Sequence, residues 1–353
     1  MKTIVLTGGG TAGHVSPNLA LLPHLVEKGY SVHYIGSHTG IEKSMTDLDG
    51  ITYHAVQSGK LRRYFDLKNF SDPFRVLTGC IQSLNILKQI KPDVLFSKGG
   101  FVAVPVVWAA AKLGIPILCH ESDITPGLAN RLSGRYAQKI CTTFPECAKA
   151  LGAKGVQTGT PLRQTLFEGS REKGLKQAGF DGTKPVLLMM GGSQGAQAVN
   201  KGLRSALPLL LKDFDVLHLC GKGNLDETLM GTPGYCQKEF LSDELPDALA
   251  ACDLVLSRAG ANALCEFHAL QKPMLLVPLP LSASRGDQIL NADSYARRGL
   301  AHVLRQEDMT AETLAAAVHR LYREKDSIRA AMQNDPAGDG TAKVLEWIER
   351  IQH

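Results

Sequence analysis

Short apolar runs alternate along this chain with longer stretches in which apolar residues recur every three or four positions. The runs at residues 3–7, 31–36, 51–56, 94–97, 117–120 and 139–144 predict strands, and helical patterns fill the gaps. From Leu77 the apolar residues Cys80, Ile81, Leu84 and Leu87 fall three or four apart, which predicts a helix buried along that stripe. The alternation restarts after Pro185, with apolar runs at 186–190, 216–220, 254–256, 274–277 and 302–304. Parallel strands need crossover helices, so the pattern predicts an α/β protein made of two Rossmann-like domains in tandem.

Both halves open in the same way. Ile4-Val5-Leu6-Thr7 runs into Gly8-Gly9-Gly10-Thr11-Ala12-Gly13-His14, and Val186-Leu187-Leu188-Met189-Met190 runs into Gly191-Gly192-Ser193-Gln194-Gly195. The domain boundary is expected at Gly159-Thr160-Pro161, giving domains 1–160 and 161–335. A second break at residues 334–338 precedes a last helix within 341–353.

Composition narrows the class. The 353 residues, 44% hydrophobic, suit about two globular domains. The longest nearly apolar run, residues 101–111, contains Pro105 and is shorter than the roughly 18 residues of a membrane span. The first apolar run is also too short for a signal peptide, so a cytosolic protein is expected. Eight cysteines without a C-x-x-C pair read as small buried hydrophobes, and no metal site is expected. The net charge of +5 is uneven: residues 1–160 carry 17 basic and 10 acidic side chains, net +7, and the remainder is net −2. That field suits anionic substrates or an anionic membrane surface and is weaker than nucleic-acid binders show.

In open α/β sheets ligands sit at the carboxyl ends of the strands, where glycines and helix N-termini receive anions, and two such loops face to face make a cleft. Gly8-x-Gly10-x-x-Gly13 has the form of a dinucleotide fingerprint. The acidic residue that should close the second strand is missing, because that strand ends Tyr34-Ile35-Gly36-Ser37. No G-x-x-x-x-G-K-[ST] loop occurs either. Glu266, following Ser257-Arg258-Ala259-Gly260-Ala261 into a helix, can hold a ribose diol or merely complement the helix dipole. His14, at the start of the first helix, can take a proton from an attacking hydroxyl, or be an ordinary helix-start residue. Among the remaining candidates, His120-Glu121-Ser122-Asp123 ends a strand where a ligand would lie, or Ser122 or Asp123 caps a following helix, and Arg163 can balance a diphosphate or be an exposed linker arginine. Gln288 and Asn291 can read sugar hydroxyls or cap their helix.

Taken together, Gly9-Gly10-Thr11-Ala12-Gly13-His14, Gly99-Gly100-Phe101-Val102, His120-Glu121-Ser122-Asp123, Gly191-Gly192-Ser193-Gln194-Gly195, Ser257-Arg258-Ala259-Gly260-Ala261 and residues 285–292 resemble the MurG family. These are the undecaprenyl-diphospho-muramoylpentapeptide β-N-acetylglucosaminyltransferases of peptidoglycan synthesis. The resemblance implies a GT-B fold with the last helix packed back on the first domain. It implies inverting transfer of N-acetylglucosamine from UDP-N-acetylglucosamine to the muramoyl 4-hydroxyl of lipid I, giving lipid II. On the donor side it implies roles for Ser193 at the diphosphate, Leu241 at the uracil, Glu266 at the ribose, and Ala261, Asn262, Ala263 and Leu264 flanking the nucleotide. Gln288 and Asn291 would meet the sugar, and Arg163 and Arg258 the diphosphate. Thr11, Ala12, Gly13 and Asp123 of the first domain would also contact the donor, close to the reacting centre where His14 acts, with Glu121 and Asn130 on the acceptor side. His14 is the expected base, although Asp123, an asparagine in some relatives, can itself serve.

No cofactor is required by this scheme, and no nucleic acid. The expected partners are UDP-N-acetylglucosamine, a lipid-linked diphosphate acceptor and an anionic membrane surface, at the cytoplasmic face of the plasma membrane. The last is reached through Lys60, Arg62, Arg63, Tyr64, Phe65, Lys68, Phe70, Phe74 and Arg75, or that segment is a solvated loop. Two other functions fit the motifs: another UDP-sugar lipid transferase of the same fold, such as one that glucosylates diacylglycerol, and a non-catalytic nucleotide-sugar-binding subunit.

Overall fold

The computed structural model describes residues 1–47, 50–59, 72–191, 195–284, 286–335 and 338–352. They form two compact units, Met1–Arg163 with Asp339–His353, and Gln164–Gly338. Ser193 and most of the basic and aromatic segment at 60–75 therefore lie outside the described residues, as does the side chain of Phe74.

In the first unit the strands are β1 (Lys2–Thr7), β2 (Tyr30–Ser37), β3 (Ile51–Val56), β4 (Val94–Ser97), β5 (Ile117–Glu121), β6 (Lys139–Thr142) and β7 (Gly155–Gln157). The helices between them are α1 (Ala12–Glu27), α2 (Ile41–Met45), α3 (Asp72–Ile90), α4 (Ala103–Lys112), α5 (Leu128–Gly134) and α6 (Pro145–Ala150). The sheet is parallel, in the order β3-β2-β1-β4-β5-β6-β7. Its centre is buried on both faces: Ile4, Val5 and Leu6 are fully inaccessible, which is why β1 reads as an unbroken apolar run.

The second unit repeats the plan, with strands β8 (Val186–Met190), β9 (Asp215–Leu219), β10 (Tyr235–Lys238), β11 (Leu254–Ser257), β12 (Met274–Leu276) and β13 (Ala301–Val303). Its helices are α7 (Arg171–Ala178), α8 (Gln197–Leu210), α9 (Leu245–Ala251), α10 (Ala261–Ala269), α11 (Asp287–Arg297) and α12 (Ala311–Asn334). The sheet order is β10-β9-β8-β11-β12-β13, again all parallel. Helix α8 shows how the pattern encodes packing, because Val199, Leu203, Ala206, Leu207 and Leu210 share one face and are its buried apolar residues.

After α12 the chain re-enters the first unit through α13 (Thr341–Arg350). The amide of Gly340 donates to the carbonyl of Thr160 at 2.9 Å, and the amide of Leu162 donates to Thr341 Oγ1 at 3.1 Å. Val344, Leu345 and Ile348 then join the core made by Leu21, Leu22 and Leu25 of α1 and the sheet face beneath. Replacing fully buried Ile348 by alanine is expected to destabilise the first unit by about 2–5 kcal/mol. Calorimetry should show that unit's transition move down while the other holds; an unmoved transition would mean α13 contributes little.

Three sequence expectations change. Strands β7 and β10 escape the pattern because both lie at sheet edges: β7 is three half-buried residues, and β10 reads Tyr-Cys-Gln-Lys, too polar for an apolar run. The stripe on α3 is also rotated. Leu77 and Ile81 are 58% and 53% exposed, while Gly79, Ser83 and Leu87 are buried. The cause is close packing at the start of the helix: a Cβ on Gly79 would collide with the backbone carbonyl of Gln57, so Gly79 faces inward and Leu77 and Ile81 outward, while Leu84 and Leu87 further along keep to the core.

Candidate active site

In each sheet the strand order reverses once, between β1 and β4 and between β8 and β11. Loops leaving adjacent strands in opposite directions open a crevice at the carboxyl edge, where ligands bind in such sheets.

In the first unit that crevice is lined by residues 8–11, by Lys98, Gly99 and Gly100 after β4, and by the end of β5. The glycine loop is held from below. Tyr34 donates its hydroxyl to the carbonyl of Gly8 at 2.7 Å, and the buried amide of Asn18 donates to the carbonyl of Thr7 and to Tyr34, both at 3.2 Å. From α2, Glu42 accepts from the amide of Gly10 at 3.2 Å and from the amide and hydroxyl of Ser37 at 3.0 and 2.5 Å. Burial pushes the Glu42 carboxyl up, but these hydrogen bonds outweigh it and hold it below the usual range, so it is ionised. Glycine is required at Gly8, where a Cβ would stand 2.6 Å from the carbonyl of His14. It is required again at Gly100, which has φ +84° and whose Cβ would strike the carbonyl of Gly9.

His14 sits in the first turn of α1, at this loop. Its Nδ1 lies 3.0 Å from the carbonyl of Gly9 and 3.1 Å from Thr11 Oγ1. A carbonyl only accepts, so in the neutral ring Nδ1 carries the proton and Nε2 holds the lone pair. Burial first, and then the charge of Lys98, lower the pKa of His14; Gly9 and Glu42 oppose them without reversing the direction. The ring is thus a neutral base, with its tautomer fixed by backbone. Thr11 and Ala12 are exposed beside it and Gly13 is half-buried.

The end of β5 is built inward. The carboxylate of Glu121 accepts from the amides of Asp123 and Gly127, both at 3.0 Å, and from Asn130 Nδ2 at 2.9 Å. Asn130 also donates to the carbonyl of His120 at 3.1 Å. Burial raises the pKa of Glu121. Glu121 and Asn130, expected beside the acceptor, therefore shape the loop that carries half-buried Asp123. Arg163 is exposed, the last residue of the unit before the crossing.

In the second unit the crevice receives Gly191, Gly195 and Ala196 after β8, and residues 258–260 after β11, which lead into α10. Gly195, with φ +78°, has no room for a Cβ beside the carbonyl of Cys220. Ala261, Asn262, Ala263 and Leu264 form the first turn of α10, and its N–H groups give this edge the positive end of a helix dipole. Glu266 is half-buried in the second turn. Gln288 in α11 accepts from the amide of Leu279 at 3.1 Å, and its Nε2 has no partner among the described residues. Leu241 is half-buried in the loop between β10 and α9.

Two expected ligand residues have other tasks. The Arg258 guanidinium donates to the carbonyls of Val277 and Pro278 at 2.9 and 3.2 Å and to Gln306 Oε1 at 2.7 Å. It braces the loop after β12, and burial lowers its pKa. Asn291 is fully buried and donates to the carbonyl of Ala259 at 3.2 Å, so it fixes the loop before α10. The positioning residues Tyr34, Asn18, Glu42 and Lys98 escaped the sequence reading. Lys98 stands one residue before the Gly99-Gly100 motif, which was the available signal. Among the described residues no three His, Cys, Asp or Glu side chains are grouped to hold a metal.

Residues 4–142 match the glycosyltransferase family 28 N-terminal domain and residues 186–348 the family 28 C-terminal domain. The chain is a glycosyltransferase with the GT-B fold, made of two Rossmann-like domains. It is 55% identical, over 99% of both chains, to the UDP-N-acetylglucosamine--N-acetylmuramyl-(pentapeptide) pyrophosphoryl-undecaprenol N-acetylglucosamine transferase of Lachnospira eligens. It is 52% identical, over the whole of both chains, to the transferase of that name from Clostridium kluyveri. The crystal structure of MurG from Acinetobacter baumannii matches 99% of this chain and 100% of its own, with a TM-score of 0.77 at 27% identity. The calicheamicin glycosyltransferase CalG4, at 17% identity, TM-score 0.72 and 99% and 98% coverage, shares the fold. The chain belongs to the MurG family of N-acetylglucosaminyltransferases.

Proposed function

We infer that the protein transfers N-acetylglucosamine from UDP-N-acetylglucosamine to the muramoyl 4-hydroxyl of lipid I, forming lipid II. The observation that carries this reading is the full-length identity above 50% to transferases of that name. In the reaction the acceptor oxygen forms a bond to the anomeric carbon from the face opposite UDP. The bond from that carbon to the diphosphate oxygen breaks, its electron pair leaves with UDP, and configuration inverts. His14 Nε2 takes the acceptor proton, the role that the Nδ1 hydrogen bond to Gly9 prepares.

The second unit holds the donor. Glu266 accepts from the ribose diol, the first-turn amides of α10 and the glycine loop after β8 receive the diphosphate, and Gln288 meets the sugar through its amide. Helix N-termini carry the leaving-group charge, and the reaction needs no divalent cation. Excess EDTA is expected to leave the initial rate unchanged. A rate abolished by EDTA and restored by magnesium would overturn that part.

The first unit meets an anionic membrane surface at the cytoplasmic face. Its support is the net +7 of residues 1–160 together with the exposed pair Leu77 and Ile81, one helical turn apart and close to exposed Arg75. Among the described residues no helix is long and apolar enough to cross a membrane. The protein should co-sediment with phosphatidylglycerol vesicles in low salt and be released in high salt, and Leu77→Asp with Ile81→Asp should weaken that binding. Binding indifferent to salt and to both substitutions would contradict it.

A further inference from the structure

Beneath the first crevice lies a polar cluster that the transfer chemistry above does not use. Lys98 directly follows β4 and is 1% exposed. Its Nζ lies 2.7 Å from His120 Nδ1, 2.6 Å from Ser122 Oγ and 3.5 Å from Thr160 Oγ1. The tautomer of His120 can be read from its other nitrogen: Nε2 stands 2.8 Å from the carbonyl of Gly159, so it donates there, and Nδ1 presents a lone pair to Lys98. His120 Nδ1 accepts from Lys98, and the two hydroxyls can accept as well, an arrangement that an ammonium with three N–H bonds satisfies. Burial and the Lys98 charge both disfavour protonation of His120.

The cluster touches the catalytic loop from below. The amide of Lys98 donates to the carbonyl of Thr7 at 2.9 Å, and a Cβ placed on Gly8 would stand 3.2 Å from Lys98 Cβ and 2.6 Å from the carbonyl of His14. Gly8 is thus packed against the backbone of His14 on one side and the side chains of Lys98 and Asn18 on the other.

We propose that Lys98 is a positioning residue of the transfer reaction, whose buried side chain anchors the end of β5 through His120 and Ser122 and sets its charge directly beneath the glycine loop that carries His14. The proposal rests on the reading of His14 as the base. Among the described residues the groups that bear on His14 are Lys98 after β4, Glu42 from α2, and the Gly9 carbonyl and Thr11 hydroxyl of its own loop; Glu121 and Asp123 are the carboxyls at the end of β5. Lys98 is the cation among them, and it offsets Glu42. The lowered pKa of His14 agrees in direction.

The test separates charge from hydrogen bonding. Lys98→Gln retains an amide donor for His120 and Ser122 but loses the charge, whereas Ser122→Ala keeps the charge and loses one acceptor. His14 is followed by NMR titration of its ring carbon-bound protons without substrate, and the acid limb of kcat/KM is measured with UDP-N-acetylglucosamine and a lipid I analogue. In Lys98→Gln both should move to higher pH by about one unit, the size of a unit charge acting over several ångströms of protein. In Ser122→Ala both should stay at the wild-type position. Lys98→Met replaces Lys98→Gln in the same titration if the amide does not fold. A folded charge-free variant whose His14 titrates as in wild type overturns the proposal, as does a Ser122→Ala shift equal to that of Lys98→Gln. Failure of the underlying reading looks different: His14→Ala would then retain the wild-type rate and limb, while the NMR titration would still report on Lys98.

Discussion

His14→Ala should lower kcat by about 10²- to 10⁴-fold, the usual worth of a positioned general base, and leave the KM for UDP-N-acetylglucosamine within about twofold. The loss falls on kcat because His14 acts on the acceptor proton as the new bond forms and because the donor is assigned to the other unit. The geometry also predicts the shape of the pH profile. His14 is active when neutral, and burial and Lys98 hold its pKa below the ordinary 6.5. The wild-type acid limb therefore belongs below pH 6.5, and activity is lost as pH falls through it. In His14→Ala the residual rate should lack that limb. Among the described residues the side chain hydrogen-bonds only within its own loop, to Gly9 and Thr11, so the melting temperature should change little. A variant with wild-type turnover would remove His14 from the chemistry and turn attention to Asp123.

Glu266→Ala should give the complementary result: KM for the donor raised about 10- to 100-fold, with a smaller change in kcat. The estimate follows from losing hydrogen bonds to a charged acceptor, about 1.5–3 kcal/mol. A sharper measurement uses the donor carrying 2′-deoxyuridine. Wild type should discriminate against it by a similar factor, and Glu266→Ala should not, because the partner of the missing hydroxyl is already gone. Equal discrimination in both proteins would assign Glu266 to complementing the dipole of α10 and leave the ribose to another group.

Most of the framework could be read in the sequence because buried parallel strands write themselves as unbroken apolar runs. Residues 4–6 and 186–189 are the clearest cases, each followed by glycines that allow a close approach of backbone. Edge strands could not be read in this way, as the polar residues of β10 show, with Gln237 buried yet satisfied by the amide and carbonyl of Asp226 at 3.1 and 2.6 Å. The orientation of α3 was hidden for a different reason. Periodicity finds the largest apolar stripe, and its later part, Leu84 and Leu87, does reach the core; the first turns are seated instead by Gly79 against Gln57, which leaves Leu77 and Ile81 outside.

At the candidate site, the grouping of Thr11, Gly13 and His14 at one loop follows from the sequence because their neighbours in sequence are also their neighbours in space. The supports do not follow in this way. Glu42 reaches Gly10 from 32 residues away, Tyr34 reaches Gly8 across 26, and Lys98 reaches Thr160 across 62. Arg258 and Asn291 show the converse. Residue type and position mark them as ligands, and the folded chain also engages them in bracing loops, Arg258 through the carbonyls of Val277 and Pro278 and Gln306, Asn291 through the carbonyl of Ala259. Polar residues beside a glycine loop divide into those that touch substrate and those that hold the loop, and sequence alone does not separate the two.

Transfer to lipid I is tested by incubating the protein with UDP-N-acetylglucosamine labelled in the sugar and a lipid I analogue, then isolating the lipid product. Label should appear in the analogue, joined to the muramoyl 4-oxygen in the β configuration, with one UDP released per sugar transferred. No transfer to that analogue, together with transfer of glucose from UDP-glucose to diacylglycerol, would contradict it.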